Sequence, residues 1–281
     1  MKFSKWHGQG NDFIIVNGFE EKVADYRDLA IKMCNRNFGI GADGLVIILP
    51  SVLAEADFKM VIYNSDGSEA EMCGNATRCV ARFLYERGLT TKTTITLETL
   101  AGLIVPELIF KDDQIETICV DMGHPRLKRG EIPVIGEPDE QAVDFSITVN
   151  NETYKMTCVS MGNPHAVIFV NDIGKIKLAE IGPLIENHDL FPKKTNVEFV
   201  QVISNKELRM RVWERGAGIT QACGTGASAV LVASVLTGRT EREIIIHLDG
   251  GDLALQWKPD NHVYMSGPAT EVFQGVYLEN N

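Results

Sequence analysis

The chain has 281 residues, 44% hydrophobic and 23% charged, and its 27 Lys and Arg against 38 Asp and Glu leave a formal charge of −11. At roughly 100–200 residues per domain the length accommodates two domains, and a core of that size needs no disulfide or metal to staple it. The acidic balance repels phosphate backbones and anionic lipid, so neither nucleic acid nor a membrane surface is an expected partner.

The opening MKFSKWHGQGNDF lacks the apolar stretch of a secretory signal, and the longest run of apolar and small residues, Ala227 to Leu236, is about half a membrane span. The expectation is a soluble cytoplasmic protein that acts on a small molecule. In chain order, runs rich in β-branched residues predict strands over Phe13–Val16, Leu45–Leu49, Lys59–Tyr63 and Thr93–Leu97, and a helix is expected over Asp28–Asn37. A further helix is predicted from about Gly74 to Glu86. Its counterpart, Gly224 to Leu236, is apolar or small at almost every position from Ala227 onward. A helix apolar all round belongs in the middle of a core.

Those two helices belong to an internal repeat. A shift of 150 lays residues 60–105 over 210–255 without a gap, with identities at Met60/Met210, Cys73/Cys223, Gly74/Gly224, Val80/Val230, Gly88/Gly238, Thr90/Thr240, Ile95/Ile245 and Leu103/Leu253. Each copy reads as strand, Gly-rich loop, Cys-Gly, apolar helix, Gly, then a Thr/Ile-rich strand. Two echoes extend it: GNDFIIV at 10–16 answers GNPHAVI at 162–168, and V-x-M-x-x-P recurs at 120–125 and 263–268. The predicted fold is α+β: two pseudo-symmetric half-domains from a duplication, each a barrel-like mixed sheet around a central helix. The N-terminal half is expected over 1–121, with residues 268–281 returning to it, and the C-terminal half over 122–267. The joint falls in a stretch rich in chain punctuators (Pro125, Gly130, Pro133, Gly136, Pro138). The active site is expected in the cleft between the halves.

The six cysteines (34, 73, 79, 119, 158 and 223) form no C-x-x-C and no zinc-ligand cluster. Cys34, Cys79, Cys119 and Cys158 have no repeat partner and read as packing residues. Cys73 and Cys223 are duplicated, and each precedes the first turn of a central helix. Unpaired N–H groups and the positive end of the helix dipole are expected there to lower a thiol's pKa. Gly74-Asn75 and Gly224-Thr225-Gly226 leave backbone amides open, a ready anion site. Two halves related by a pseudo-two-fold axis would set one thiol on each face of a shared substrate. Inverting a stereocentre next to a carboxylate needs a base on one face and an acid on the other. The residues therefore point to a racemase or epimerase.

Several segments carry a resemblance to a known family. GNDF at 10–13, GADG at 41–44, YNSDGSEAEMCGNATRC at 63–79, GNPHAV at 162–167, TNVEFV at 195–200, WERGAGITQACGTGASA at 213–229 and LDGGDL at 248–253 resemble diaminopimelate epimerases from end to end of the chain. Members of that family interconvert LL- and meso-2,6-diaminopimelate without pyridoxal phosphate, metal or other cofactor, in lysine and peptidoglycan synthesis. The resemblance implies that Cys73 and Cys223 are the acid/base pair and that Gly74, Asn75, Gly224 and Thr225 hold the reacting carboxylate. Asn11, Asn64, Asn163, Asn196, Glu214 and Arg215 match the family's substrate-binding positions. His165 and Glu214 match positions near the cysteines, where they would tune protonation. It also implies a homodimer. Arg215 suits a carboxylate, Glu214 an ammonium, and the asparagines both donate and accept.

One position departs from the family. Many members have glutamine where this chain has Gly44, which falls opposite Asn196 in the repeat. His7 has no motif support and reads as structural. The rival readings are another cysteine-pair racemase on the same fold, a single-cysteine hydrolase or acyltransferase using His165, and a non-catalytic binder of an anionic metabolite. A hydrolase has no use for a second cysteine.

Overall fold

The computed structural model describes residues 1–22 and 24–278. The chain divides into two compact units, one of Met1–Asp121 with the C-terminal segment from Ser266, the other of Met122–Met265.

The first unit is an eight-stranded mixed sheet, ordered β19-β1-β2-β3-β4-β6-β7 with β5 on β4. Its strands are β1 (Lys2–Gly8), β2 (Asn11–Asn17), β3 (Gly44–Leu49), β4 (Phe58–Asn64), β5 (Glu69–Ala70), β6 (Leu97–Thr99), β7 (Gly102–Ile104) and β19 (Thr270–Val276). A hairpin of β8 (Glu107–Lys111) and β9 (Gln114–Asp121) follows β7. Helix α2 (Gly74–Glu86) packs against β1, β2, β8 and β9, and α1 (Tyr26–Cys34) packs on β3 and β4. The parallel pair β2–β3 is buried on both faces: Ile14, Val16, Leu45 and Ile47 lie in the cluster with α1, while Ile15, Val46 and Ile48 are also buried. Continuous apolar runs are what a parallel pair covered on both sides requires.

The second unit repeats the scheme. Its strands are β10 (Phe145–Val149), β11 (Glu152–Ser160), β12 (Pro164–Phe169), β13 (Asn196–Ser204), β14 (Glu207–Glu214), β15 (Gly218–Thr220), β16 (Glu243–Leu248), β17 (Gly251–Trp257) and β18 (Val263–Gly267), with helices α3 (Leu178–Glu186) and α4 (Gly224–Leu236). β1-β2-β3-β4-β6-β7 and β11-β12-β13-β14-β16-β17 share one order of pairing senses: antiparallel, parallel, antiparallel, parallel, antiparallel. The registers correspond as well. Phe13 faces Gly44 where His165 faces Asn196, and Tyr63 faces Glu69 where Trp213 faces Ile219. Helix α4 packs against β11, β12, β13 and β17, and every residue from Gly226 to Ser234 is buried.

The details correct three expectations. Thr93–Leu97 is not a strand: only Leu97 enters β6, while Thr94 makes a single bridge to Glu107 and Ile95 N–H donates to Pro106 O at 3.1 Å. The first helix starts at Tyr26, because the Asp25 side chain accepts from Asp28 N–H and fixes its start, and it stops at Cys34. The gap-free repeat also slips by one residue after the central helix. Leu97 pairs with Phe58, but the partner of Leu208 is Ile246 and not His247. Ile95 is fully buried while Ile245 is 41% exposed, so that identity is not a structural equivalence.

Candidate active site

Cys73 is the N-cap residue of α2, extended at φ −144° and ψ 115°. Thr77 N–H donates to Cys73 O at 2.9 Å, closing the first helical turn. Helix geometry leaves the amides of Gly74, Asn75 and Ala76 without an acceptor inside the helix. The Cys73 thiol donates to Asn11 Oδ1 at 3.7 Å, and Asn75 Nδ2 donates to the same oxygen at 3.0 Å. Asn11 Nδ2 donates to Asp43 Oδ2 at 2.8 Å, and Arg78 Nη2 donates to Asn75 Oδ1 at 2.9 Å. Asn64 stands opposite Gly44 and donates to Ser68 Oγ at 2.9 Å.

Cys223 occupies the same place on α4, with φ −128° and ψ 108°, and its sulfur accepts from Gly226 N–H at 3.4 Å. Thr225 Oγ1 lies 3.5 Å from that sulfur and accepts from Asn163 Nδ2 at 3.3 Å. The constellation is thus duplicated. The same three positions recur with different links: Cys73 and Asn75 both bond to the Asn11 oxygen, whereas Cys223 meets Thr225, which is joined in turn to Asn163. Asn196 Oδ1 accepts from Arg215 N–H at 2.8 Å, and Arg215 Nη1 donates to Lys193 O at 3.0 Å. Among the described residues the Arg215 guanidinium forms no ion pair, which leaves its charge available to a carboxylate.

The halves differ in what surrounds this shared frame. On the α4-facing side of β12 and β13, fully buried His165 and Glu198 stand where the first unit has Phe13 and Val46. His165 Nδ1 is 2.6 Å from Glu198 Oε1, and Nε2 is 3.0 Å from Asn163 Oδ1. Glu198 Oε2 is buried and has no partner among the described residues. Glu214 accepts from Thr220 Oγ1. Burial raises the Glu214 carboxyl above its ordinary value, against the lowering effect of Thr220 and Cys223.

Cys223 runs against the sequence expectation. Burial, then Glu214, then Glu198 push its thiol well above the ordinary value, and the bonds from Thr225 and Gly226 N–H do not offset them. The helix N-terminus is present, but desolvation and two carboxylates outweigh it. Sequence reasoning missed Glu198 and Arg78. The signal for Glu198 is a lone charge in the apolar strand VEFV, two residues past Asn196 and so on the same face. Cys34, Cys79 and Cys158 are buried free thiols, their ionisation suppressed by burial, and Cys119 is a half-buried one. Among the described residues no group of three or more His, Cys, Asp or Glu could hold a metal ion, and no helix is long and apolar enough to cross a membrane.

Two units of one mixed-sheet topology, each with a cysteine capping its central helix, place the chain in the fold class of proline racemases and PhzF proteins. It aligns with a probable proline racemase from Agrobacterium radiobacter at a TM-score of 0.70 and 17% identity, covering 99% of this chain and 93% of that one. A phenazine biosynthesis protein of the PhzF family from Bacillus anthracis aligns at 0.71 and 17%, covering 99% of each. At such identities the likeness shows the fold alone. Within that class the chain belongs to the diaminopimelate epimerase family, whose sequence profile matches residues 3–128 and 157–272. It is 55% identical over 279 residues to the diaminopimelate epimerase of Pelotomaculum thermopropionicum and 54% identical to that of Moorella thermoacetica, in both cases over 99% of each chain.

Proposed function

We propose that this chain interconverts LL-2,6-diaminopimelate and meso-2,6-diaminopimelate by a two-base proton transfer at the α-carbon. The observation that carries the proposal is the duplicated thiol: Cys73 and Cys223 each occupy the N-cap of a helix beside the asparagine of a Gly-Asn turn and the polar side chain two residues on. One cysteine, as thiolate, takes the α-proton. The electron pair passes into the adjacent carboxylate, which the amides of Gly74-Asn75 and Gly224-Thr225 stabilise. The other cysteine, as thiol, returns a proton to the opposite face. The first ends as thiol and the second as thiolate, so the reverse reaction runs with roles exchanged. Both proton transfers are supplied by side chains of the chain itself.

The remaining polar groups fit a substrate with two carboxylates and two ammonium groups. Arg215 pairs with a carboxylate and Glu214 with an ammonium, while Asn11, Asn64, Asn163 and Asn196 donate and accept around them. Such a site rejects an analogue without the distal amino-acid group, because its polar partners would go unpaired. His165 and Glu214 tune the protonation of the two cysteines, Glu214 by raising the Cys223 thiol. The enzyme serves lysine and peptidoglycan synthesis, works in the cytoplasm as a homodimer, and has no nucleic-acid or membrane partner; light scattering at the monomer mass would overturn the dimer.

The test is incubation with LL-diaminopimelate in deuterium oxide under reducing conditions. Deuterium is expected at the inverted α-carbon together with meso product, and absence of both sinks the reading. Cys73→Ala and Cys223→Ala should each lower inversion by at least about 100-fold. Retained activity in either variant refutes the pairing, and an acyl-enzyme burst would favour a hydrolase.

A further inference from the structure

The hydrogen-bond frame around Cys73 ends on ions at both sides. Asn11 Nδ2 donates to the Asp43 carboxylate at 2.8 Å, and Asp43 is held by Arg36 Nη2 at 2.7 Å. At the other end the Arg78 guanidinium, fully buried, donates to Asn75 Oδ1 at 2.9 Å, to Gln9 Oε1 and, through Nε, to Pro268 O at 3.3 Å. Gly8 leaves room for it: a Cβ there would stand 2.9 Å from Arg78 Nη2. A carboxylate only accepts and a guanidinium only donates. The two ends therefore dictate both amide orientations between them. Asn11 must turn its NH2 to Asp43 and its oxygen to Cys73, and Asn75 must turn its oxygen to Arg78 and its NH2 to Asn11.

We propose that Asp43 and Arg78 are positioning residues that fix, from opposite ends, the polarity of the Arg78–Asn75–Asn11 chain and so present a hydrogen-bond acceptor to the Cys73 sulfur. The second unit has no such clamp: Thr195 stands where the first unit has Asp43, and Ser228 where it has Arg78. Asp43 reaches the thiol through Asn11, and Arg78 reaches it through Asn75 and Asn11 as well as by its charge. The two ends bear on the sulfur with opposite sign. Asp43 keeps the Asn11 oxygen toward it, which favours the thiol, whereas Arg78 is also a buried cation that favours the thiolate. Burial pushes Arg78 down to about 10, against the raising effect of Cys79 and Cys73, so it is charged at neutral pH. The consequence for the reaction rests on the reading of Cys73 as one of the two proton-transfer groups, but the clamp itself is measurable without turnover.

The experiment is the rate of iodoacetamide alkylation of Cys73, read by peptide mass against pH, in the full-length protein and in Asp43→Asn and Arg78→Gln. In Asp43→Asn the Asn11 amide is free to turn its NH2 to the sulfur. The midpoint should fall by about one pH unit, and alkylation at neutral pH should rise roughly threefold, the gain in thiolate being partly offset by lower nucleophilicity. In Arg78→Gln the midpoint should rise by a similar amount. Loosening of the fold would expose the thiol in both variants and move both the same way, so parallel shifts overturn the proposal. No shift in Asp43→Asn overturns it as well. Asp43 is partly exposed, so that variant decides the matter even where Arg78→Gln fails to fold. The pH profile of α-proton exchange then separates the two readings: a shifted thiol with no exchange in the unaltered protein leaves the clamp standing and sinks the epimerase.

Discussion

Around Cys223 a single carboxyl group does two jobs. Glu198 Oε1 meets His165 Nδ1 at 2.6 Å, and the same carboxylate is one of the three causes that hold the Cys223 thiol up. Replacing it by Gln keeps the shape and removes the charge. Glu198→Gln should therefore ease ionisation of Cys223 and lower its alkylation midpoint by roughly one pH unit, read by peptide mass as for Cys73; an unchanged midpoint would show that burial and Glu214 alone set it. Only its place as a lone charge two residues past Asn196 marked it in the sequence. In Val197-Glu198-Phe199 the period-2 pattern places Glu198 opposite two apolar neighbours, which reads as a solvent face. β13 is covered on both sides, by α3 and by α4, and a single strand carries no sign of that. Arg78 hid in the same way, four residues before Arg82 on what reads as a polar helix stripe. Cys73, Cys223, Gly74, Gly224, Asn11 and Asn163 stood out because duplication repeats them, and chance rarely repeats a cysteine at the same helix start; Asn64, Asn75 and Asn196 have no repeat partner and rested on the family resemblance.

At the scale of elements, the turn that carries Asn11 is tied to the start of β3 by a compact ion network. Asp12 accepts from Lys5 at 2.6 Å and from both terminal nitrogens of Arg36, at 2.8 and 3.2 Å, and its Oδ1 accepts from Asp43 N–H at 3.1 Å. Burial raises the Asp12 carboxyl, but the bonds from Arg36, Lys5 and Asp43 outweigh it and hold it at about 2, below its ordinary 3.8. A carboxyl lowered on folding stabilises the fold above its unfolded value and loses that contribution as pH falls through the folded one. Asp12→Asn should accordingly destabilise the protein by about 1–3 kcal/mol at neutral pH, and the difference from the parent should close between pH 4 and pH 2 in urea unfolding curves. A pH-independent difference would mean that Asp12 acts by shape. Loops of this kind are where sequence reading stopped. The strands at Phe13–Val16, Leu45–Leu49 and Lys59–Tyr63 follow from β-branched runs and the Gly224–Leu236 helix from its apolar run and its repeat, whereas Thr93–Thr96 looks like a strand and is held by Pro106 and Asp57 instead. The one-residue slip between the repeats arises in that same connection, which no apolar period constrains.

At the scale of the whole molecule, the first unit is discontinuous. The chain leaves it at Asp121 and returns at Ser266. The returning segment adds a strand to the sheet, with β19 antiparallel to β1 from Lys2 opposite Val276 to His7 opposite Thr270. It also receives the arginines of α2 in order: Arg78 on Pro268 O, Arg82 Nη1 on Ala269 O at 2.8 Å, and Arg87 on the Glu271 carboxylate. The helix that carries Cys73 is thus fastened along its length by residues nearly two hundred positions away. Deleting everything after Gly267 would strip an edge from β1 and remove one acceptor from a buried guanidinium that keeps Asn75 and Gln9, a cost of about 1–3 kcal/mol for that bond alone. Within a total stability of about 5–15 kcal/mol that is a large fraction. The truncated protein should lose epimerase turnover, and limited proteolysis read by mass should cut within residues 1–121 while 122–265 stays protected. Equal protection of both units would show that β1 and α2 hold their places without the returning strand, and that Cys73 owes its position to the N-terminal sheet alone.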